Sequence, residues 1–460
     1  MTTTEAPRRT ATRPARRPTT RATSSRAASS RTATGSGRAG SGTGRATTAS
    51  NRTKAAPAAR TATWSSPATS YYLVGGATLL LLLLGLVMVL SASTVYSLRD
   101  TEGATPFADF LNQAKFAIIA APVAYGISRL PVGWIRKLAW VGIIGALGLQ
   151  LLVFSPLSLS QGGNSGWIHI GPQNLQPAEF SKLALAVWLG AVLAAKGPLL
   201  KKWSHVLMPA VLVAGLFLGI VMYTHDLGTA LILIALVAGA LWVAGVPLSM
   251  FSLAAAGVTA AVAYLAVSSA NRRERLLSFL SPETADPMGL GLQPRHALGG
   301  LGTGGISGVG LGGSREKWLW LPEGHNDYIF AIIGEELGLL GTLLVLVLFG
   351  ALAVGLTRII KRHPDPFVKI TTAAIGCWII GQALINIGVV IGVLPVIGLP
   401  LPLVSAGGSA LVTTLAALGI VLAFARSEPG AKEALAARKA SVRRSLAVIA
   451  PRLASGKARG

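Results

Sequence analysis

Long apolar stretches recur along the chain, and they restrict its possible folds more than any other feature. Ten stretches of about 20 residues, the length that a helix needs to cross a bilayer, follow one another from Tyr71 onward. Strands of a membrane β-barrel would be about 10 residues long with alternating polarity, and that pattern is absent. The sequence therefore predicts an all-α integral membrane protein with ten transmembrane helices. The spans lie near residues 71–95, 110–128, 134–155, 179–196, 203–223, 227–245, 248–269, 327–357, 367–392 and 403–426.

Charge is concentrated at the two ends of the chain. Residues 1–70 carry a formal charge of +12 and residues 427–460 one of +6, out of a total of +24. Residues 1–70 contain one aromatic residue and little that could form a core, which predicts a disordered tail. The chain thus divides into a basic tail, a membrane domain at 71–426 and a second basic tail at 427–460. Because the excess charge lies in the tails, it does not indicate a nucleic-acid-binding fold.

Short basic clusters in the loops predict the orientation of the spans. Lysine and arginine are retained on the cytoplasmic side of a membrane, so the loops that carry these clusters, and both termini, are expected inside. The loops after the third, fifth, seventh and ninth spans then face outward, and these loops are rich in polar residues, glycine and proline. We expect any chemistry at the outer face, where ATP is not available. The clustered cations are Arg129, Arg136, Lys137, Lys196, Lys201, Lys202, Arg358, Lys361 and Arg362.

Two of the outer loops place charged residues at the entrance of a span. Glu179 follows Pro177 in the first turn of the fourth span, and Lys182 lies three residues further on the same helix face. The two residues form either an ion pair at the helix entrance or a charged pair that lines an outward cavity and contacts substrate. Asp226 stands directly before the sixth span, where it could cap the helix or take part in binding.

The loop at 270–326, between the seventh and eighth spans, is the longest internal loop and is predicted to be extracytoplasmic. It contains eleven glycines between residues 289 and 313, but no phosphate-binding GxxxxGK[ST] motif and no βαβ context for a dinucleotide site. Such a backbone could approach a ligand closely, and the flanking cations would suit an anion such as a pyrophosphate. Alternatively, the cations contact lipid headgroups. They are Arg272, Arg273, Arg275, Arg315 and Lys317.

The end of this loop carries the strongest candidate for an acid–base residue. Asp327 lies at the mouth of the eighth span, close to His325. A partly desolvated carboxylate there could act as a general base, whereas the alternative is a helix cap made by Asn326 or Asp327. Glu335 and Glu336 follow about two turns deeper, so at least one of them must face the interior of the helix bundle.

Three prolines and several glycines interrupt the apolar sequence after the ninth span, at residues 386–409. Broken helices at membrane depth are tolerated only where they line a cavity or pack within protein. Ser405 and Ser409 supply hydroxyl groups in this segment and are further candidates for substrate binding.

Four segments, taken together, resemble the SEDS family (shape, elongation, division and sporulation) over residues 71–426. The family usually has threonine where this chain has Asn326, tyrosine where it has Ala406, and Arg-Gln where it has residues 112–115. GEELG and the long basic tail favour the division branch over the elongation branch. The segments read GGNSGWIHIGP with QPAEFSKLAL, HDLGTA, LGTGGISGVGLGGSREKWLWLPEGHNDYIFAIIGEELGLLG and NIGVVIGVLPVIGLPLPLVSAGGSALV.

The resemblance implies a peptidoglycan glycosyltransferase that polymerises lipid II at the outer face of the plasma membrane and releases undecaprenyl pyrophosphate. Asp327 aligns with the family's essential aspartate, and Glu179 and Lys182 align with its conserved glutamate and lysine. The family typically works with a class B penicillin-binding protein, the septal transpeptidase, and with other division proteins. Its activity is associated with a divalent cation such as Mg²⁺ or Mn²⁺. The competing hypotheses are a lipid II flippase, an elongation polymerase and a scaffold that acts through its tails.

Overall fold

The computed structural model describes residues 66–161, 164–171, 173–268 and 291–441, and between them residues 274, 277–281, 286 and 289. Almost all of the predicted N-terminal tail and the end of the C-terminal tail lie outside these described residues. The described part is mainly helical. One π turn, Leu207–Val211, joins α5 to α6. The helices are α1 (Thr69–Asp100), α2 (Ala108–Arg129), α3 (Val132–Leu151), α4 (Pro177–Lys196), α5 (Trp203–Val206), α6 (Leu212–Tyr223), α7 (Leu227–Val243), α8 (Leu248–Ser268), α9 (Leu292–Gly304), α10 (Ile329–Arg362), α11 (Pro366–Val390) and α12 (Gly408–Ser427).

Eight helical segments among the described residues are long and apolar enough to cross a membrane. They are α1 to α4, the continuous segment Trp203–Tyr223, and α10 to α12. Two shorter apolar helices follow Trp203–Tyr223 in the chain, namely α7 and the stretch Leu248–Gly257 of α8. Each of the ten predicted spans therefore overlaps a helix, because a chain in lipid must satisfy its backbone groups within the segment. The multi-pass helical membrane fold is confirmed, and a crossing by all ten helices stays a prediction.

The outer loop between α3 and α4 is not helical, so the all-α prediction is wrong there. It forms an antiparallel sheet with the strands β1 (Ser158–Gln161), β2 (Asn164–Ile170) and β3 (Gln173–Leu175) in that order. In β2, Gly166 and Ile168 are buried, as the two-residue period of a strand requires. Ile168 packs against Val153 and Ile220, which fixes the sheet on the ends of α3 and α6.

The described glycine-rich segment packs against its own chain. Its first half forms α9, which lies along α10. A Cβ on Gly304 would overlap the carbonyl oxygen of Gly334, and one on Gly308 would overlap that of Glu336. The described residues of this segment are therefore held against α10, and a close approach of this backbone to a ligand stays a prediction. Its glycines allow the two backbones to approach more closely than any side chain would permit.

Helix α10 is broken at Gly338, where φ is 67°. A break frees backbone groups that must find other partners at membrane depth. The segment that follows α9 supplies them, because the Leu339 N–H donates to the Gly305 carbonyl at 2.9 Å and the Gly310 N–H donates to the Glu336 carbonyl at 3.0 Å. The glycine-rich segment thus completes the hydrogen bonding of the broken helix.

We expect Gly304→Ala to lower the melting temperature of the detergent-purified protein clearly. The added methyl meets backbone that cannot rotate away, and overpacking of this kind costs about 1–3 kcal/mol. Gly302→Ala is the matched control, since Gly302 lies on the exposed face of the same helix and no atom lies within 4 Å of the position that a Cβ would occupy there. Alanine at that position should be neutral or stabilising. Equal melting temperatures for the two variants would contradict the close packing of α9 on α10.

Candidate active site

Asp327 lies two residues before α10, and it does not cap that helix. The N-cap residue is Tyr328, and no side chain bonds the first turn of α10, so both capping hypotheses are wrong. No donor among the described residues bonds the Asp327 carboxylate. One of its oxygens, Oδ2, lies 3.5 Å from the position that a Cβ on Gly398 would occupy. The carboxylate therefore rests beside the backbone of the proline-rich segment between α11 and α12.

Three consecutive carbonyl groups hold the backbone around Asp327. The carbonyls of residues 325, 326 and 327 each accept one hydrogen bond from the α11–α12 region. The donors are, in that order, the Ala406 N–H at 3.1 Å, the Ser405 hydroxyl at 2.6 Å and the Asn386 amide at 2.7 Å. The Ser405 hydroxyl also accepts the Leu401 N–H at 2.7 Å. Ser405 therefore positions this segment, and a contact between Ser405 and substrate stays a prediction.

Burial raises the pKa of Asp327 to about 7. The side chain is partly exposed, but protein surrounds its carboxylate closely enough to disfavour the charged form. The negative charges of Glu323 and Asp226 raise the pKa further. A carboxyl group that titrates near neutral pH can accept a proton during a reaction and release it afterwards.

Asp226 caps α7, as its position before the span indicated. Its carboxylate accepts the Thr229 N–H at 2.8 Å, the Thr229 hydroxyl at 2.9 Å and the Gln176 amide at 2.9 Å. Gln176 directly precedes α4, so Asp226 also links the entrances of two helices. Because protein donors already bond both of its oxygens, Asp226 contributes to the site mainly through its charge.

Glu179 and Lys182 form a buried ion pair, with 2.7 Å between Lys182 Nζ and Glu179 Oε1. The Glu179 and Lys182 side chains are 4% and 0% exposed, which supports the ion-pair interpretation, and a contact between the pair and substrate stays a prediction. Lys182 also donates to Gln382 Oε1 at 3.2 Å, and the Gln382 amide donates to the Pro400 carbonyl at 2.9 Å. The pair is therefore connected to the segment on which Asp327 rests.

The predicted anion-binding cations separate into three groups. Arg315 is exposed on the outer loop and is available to a ligand. Lys317 is buried, donates to the Gly312 carbonyl at 2.5 Å and lies 3.6 Å from Glu336 Oε1, so it already has protein partners, and anion binding by Lys317 stays a prediction. The remaining three, Arg272, Arg273 and Arg275, lie outside the described residues.

Other candidate residues contact protein. The His325 ring lies 4.6 Å from the Tyr96 ring, centroid to centroid, with the planes tilted by 49°, and Ser409 is buried in the first turn of α12. Contacts of His325 and Ser409 with substrate stay predictions. Glu335 and Glu336 are both buried, where the sequence required only one to face inward. Glu335 accepts the Ser314 hydroxyl at 2.5 Å and the Arg315 N–H at 2.9 Å, which fixes the loop that carries Arg315.

Gln382 and Asn386 were not predicted from the sequence. Both are polar and 2% exposed in α11, and they lie four residues apart, hence on one face of the helix. A buried polar pair at helical spacing within an apolar span is costly unless it has partners or a function. That signal was present in the sequence.

The described residues contain no group of three or more His, Cys, Asp or Glu side chains that could hold a metal ion. Asp226 and Asp327 are not a prepared pair of ligands, because protein donors bond the oxygens of Asp226. These residues do not fit a protein-built metal site. The divalent cation stays a prediction.

The family model for FtsW, RodA and SpoVE, described as cell cycle proteins, matches residues 72–429. The chain belongs to the FtsW/RodA/SpoVE family. The probable peptidoglycan glycosyltransferase FtsW of Mycobacterium tuberculosis is 40% identical over 391 residues, which cover 85% of this chain and 74% of that protein. The stage V sporulation protein E of Bacillus subtilis is 36% identical over 352 residues, which cover 76% and 95% respectively.

Solved structures of the family share the fold. A chain from the work described as "Structural coordination of polymerization and crosslinking by a peptidoglycan synthase complex" has a TM-score of 0.63 at 25% identity, with 77% of this chain and 96% of that chain covered. The rod shape determining protein RodA of Thermus thermophilus has a TM-score of 0.56 at 24% identity and covers 78% and 97% respectively. The family membership predicted from the four sequence segments is confirmed.

Proposed function

We propose that this protein is a peptidoglycan glycosyltransferase that polymerises lipid II during cell division. The observation that carries the proposal is the Asp327 carboxylate, which is enclosed, bonded by no donor among the described residues, and held through its backbone at the mouth of α10. The family match and the relatives named as probable peptidoglycan glycosyltransferases support the reaction class. The substrate carries its sugars outside the membrane and its polyprenyl chain within it.

Asp327 acts as a single general base in this mechanism. It accepts the proton of a GlcNAc 4-hydroxyl as that oxygen attacks the anomeric carbon of a MurNAc unit. A new C–O bond forms, the bond to the pyrophosphate breaks, and undecaprenyl pyrophosphate leaves with the bonding electrons. Direct displacement inverts the anomeric centre from α to β. Asp327 then releases its proton to water, which a pKa of about 7 permits.

The leaving pyrophosphate requires cations. Arg315 is exposed on a loop that Glu335 fixes, and it is the described residue best placed for this role. Arg272, Arg273 and Arg275 are proposed as its partners from the sequence alone. The mechanism includes no step through a metal, although Mg²⁺ or Mn²⁺ bound together with the substrate stays part of the proposal.

We place all ten helices across the plasma membrane at the division septum, with both termini cytoplasmic and the active site outward. Contacts among the predicted cytoplasmic loops support a common inner side. Arg136 pairs with Asp365 at 2.5 Å, and Arg358 and Arg362 donate to the Ser66 carbonyl at 3.4 and 3.3 Å. The solved relative from a peptidoglycan synthase complex supports a penicillin-binding partner, which we propose to be the class B septal transpeptidase, with other divisome proteins.

Two assays on the purified full-length protein test the proposal. Incubation in detergent with fluorescent lipid II should give glycan polymer on a gel, with the partner transpeptidase added in a parallel reaction. Sealed vesicles carrying the same substrate test for translocation. Translocation in the vesicles, without polymer in either detergent reaction, would refute the glycosyltransferase proposal and favour a flippase. Replacement of the host's division gene, compared with replacement of its elongation gene, tests the division role.

The basic N-terminal tail should not be needed for polymerisation. Deleting residues 1–65 leaves every described residue of the proposed site in the chain, because the described residues begin at 66, directly before α1. We expect the truncated protein to polymerise fluorescent lipid II at close to the full-length rate. A folded but inactive truncation would show that the tail does more than bind partners.

A further inference from the structure

Helix α11 carries a line of polar side chains on one face. Trp378, Gln382 and Asn386 lie at intervals of four residues, so they project from the same side of the helix. All three are at most 2% exposed. Polar groups at membrane depth are costly. Gln382 and Asn386 each donate to the segment between α11 and α12, and Trp378 donates to Gln382.

Asn386 joins that segment to Asp327. Its amide nitrogen donates to the Asp327 carbonyl and to the Leu399 carbonyl, both at 2.7 Å. Gly398, the neighbour of Leu399, is the residue against which the Asp327 carboxylate rests. One side chain therefore fixes both the residue that carries the carboxylate and the surface beneath that carboxylate.

The rest of the polar line supports the same segment from one turn away. Gln382 accepts hydrogen bonds from Lys182 and Trp378, both at 3.2 Å, and its own amide donates to the Pro400 carbonyl. The buried Glu179–Lys182 pair is thus connected to Pro400 through Gln382. Asn386 is the last member of this network before Asp327, and its Oδ1 atom is buried without a hydrogen-bond partner.

We propose that Asn386 is a positioning residue for glycosyl transfer, which holds Asp327 against Gly398 and Leu399 and keeps water away from the carboxylate. The inference rests on the proposed function, because it assigns a role in that reaction. A displacement of about 1 Å of a reacting group can cost about 10²-fold in rate. Loss of the Asn386 amide removes the hydrogen bonds to the Asp327 and Leu399 carbonyls. The Asp327 backbone is then free to move at its own carbonyl, which is the one closest to its side chain.

The charges around Asp327 set the sign of the expected pH effect. The described charged groups that act on Asp327 are Glu323, from its own loop, and Asp226, which caps α7; both raise the pKa of Asp327. The nearest other titratable residues in the chain are Tyr328, which directly follows Asp327, and His325, two residues before it. Burial contributes most of the rise. Water that enters around a loosened Asp327 removes part of that contribution, so the pKa falls and the acidic limb of the rate profile moves to lower pH.

The test compares Asn386→Leu with a control on the same helix. Leucine nearly keeps the volume and removes both donors. Thr372→Val is the control, because Thr372 is buried in α11 and its hydroxyl has no hydrogen-bond partner. For each full-length protein, the folded fraction, kcat, KM and the pH profile are measured with fluorescent lipid II. We expect Asn386→Leu to lower kcat per folded molecule about 10-fold or more, with KM within about twofold and the acidic limb at lower pH.

An Asn386→Leu protein with parent kcat per folded molecule, or with a reduced kcat and an unshifted acidic limb, would overturn the inference. If that variant does not fold, Asn386→Ser, which keeps one hydroxyl donor, is measured by the same criteria. Asp327→Asn separates the positioning role from the proposed reaction. A parent protein that forms no polymer refutes the proposed function. A polymerising Asp327→Asn protein refutes the assignment of Asp327 as the base, and with it this inference, whereas an inactive one beside an unaltered Asn386→Leu refutes only the role of Asn386.

Discussion

Replacing Asp327 with asparagine should abolish glycan polymer while the protein still folds and binds lipid II. Asparagine keeps the size and the backbone carbonyl that Asn386 and its neighbours hold. It cannot accept the proton, so the rate should fall by a factor of about 10² or more. The measurement is polymer formation from fluorescent lipid II beside a binding assay. A variant that polymerises at near the parent rate would remove Asp327 from the mechanism.

The pH dependence gives the Asp327 prediction a second readout. The folded-state pKa of about 7 lies above the ordinary aspartate value of 3.8, so the protonated form is the one that the fold favours. The contribution of the Asp327 carboxyl group to the free energy of unfolding is complete below about pH 4 and is lost as the pH rises through about 7. Asp327→Asn should therefore melt no lower than the parent above pH 7. The parent's rate should rise as the pH approaches about 7, because the base acts when deprotonated.

Asn326→Asp is the matched control for Asp327→Asn. It adds a carboxylate beside the site without removing one, and residue 326 contributes its carbonyl to the Ser405 bond in either case. We expect it to keep most of the activity. If both variants were inactive, the loss would reflect disturbance of the segment rather than the missing base.

Removing one member of the Glu179–Lys182 pair should destabilise the protein more than removing both. Either single substitution leaves an uncompensated charge at a site with almost no solvent, at a cost of about 3–5 kcal/mol. A double substitution to leucine and methionine leaves no charge and should restore most of that stability. Melting temperatures of the two single variants and the double variant in detergent measure the difference.

The exposed pair of Arg99 and Asp100 provides the control for the buried pair. Its side chains are 59% and 62% exposed, so solvent screens either charge when its partner is removed. Arg99→Ala should therefore change the melting temperature little. Equal melting temperatures for Glu179→Leu, Lys182→Met and the double variant would show that the buried pair is not desolvated.

The helices were predictable because lipid imposes a local rule on the sequence. A segment that crosses the hydrocarbon core must be apolar and must bond its own backbone, so hydropathy alone located α1 within a few residues of its observed start at Thr69. The outer loops have no such rule. The alternation in Asn164–Ile170 that produces β2 is short, and the turns beside it gave no stronger signal.

The site was predictable only as far as each residue's chemistry depends on its chain neighbours. The position of Asp327 at the entrance of a helix is local, and it identified the candidate base. The inward direction of Lys317 depends on Glu336, and the tight packing of Gly304 depends on Gly334, which are contacts between separate segments. Hydrophobic periodicity carries no information about such pairs.

The three bonds to the carbonyls of residues 325–327 explain which sequence changes this region can absorb. They are made to main-chain oxygens, and the first donor is the main-chain N–H of Ala406. This chain departs from the usual family pattern at Asn326 and Ala406. Each of these two residues takes part in the bonds only through a main-chain atom, the carbonyl oxygen of Asn326 and the N–H of Ala406. Evolution can exchange such side chains without releasing the segment, whereas Ser405 and Asn386 bond through their side chains and leave far less freedom for mutational drift.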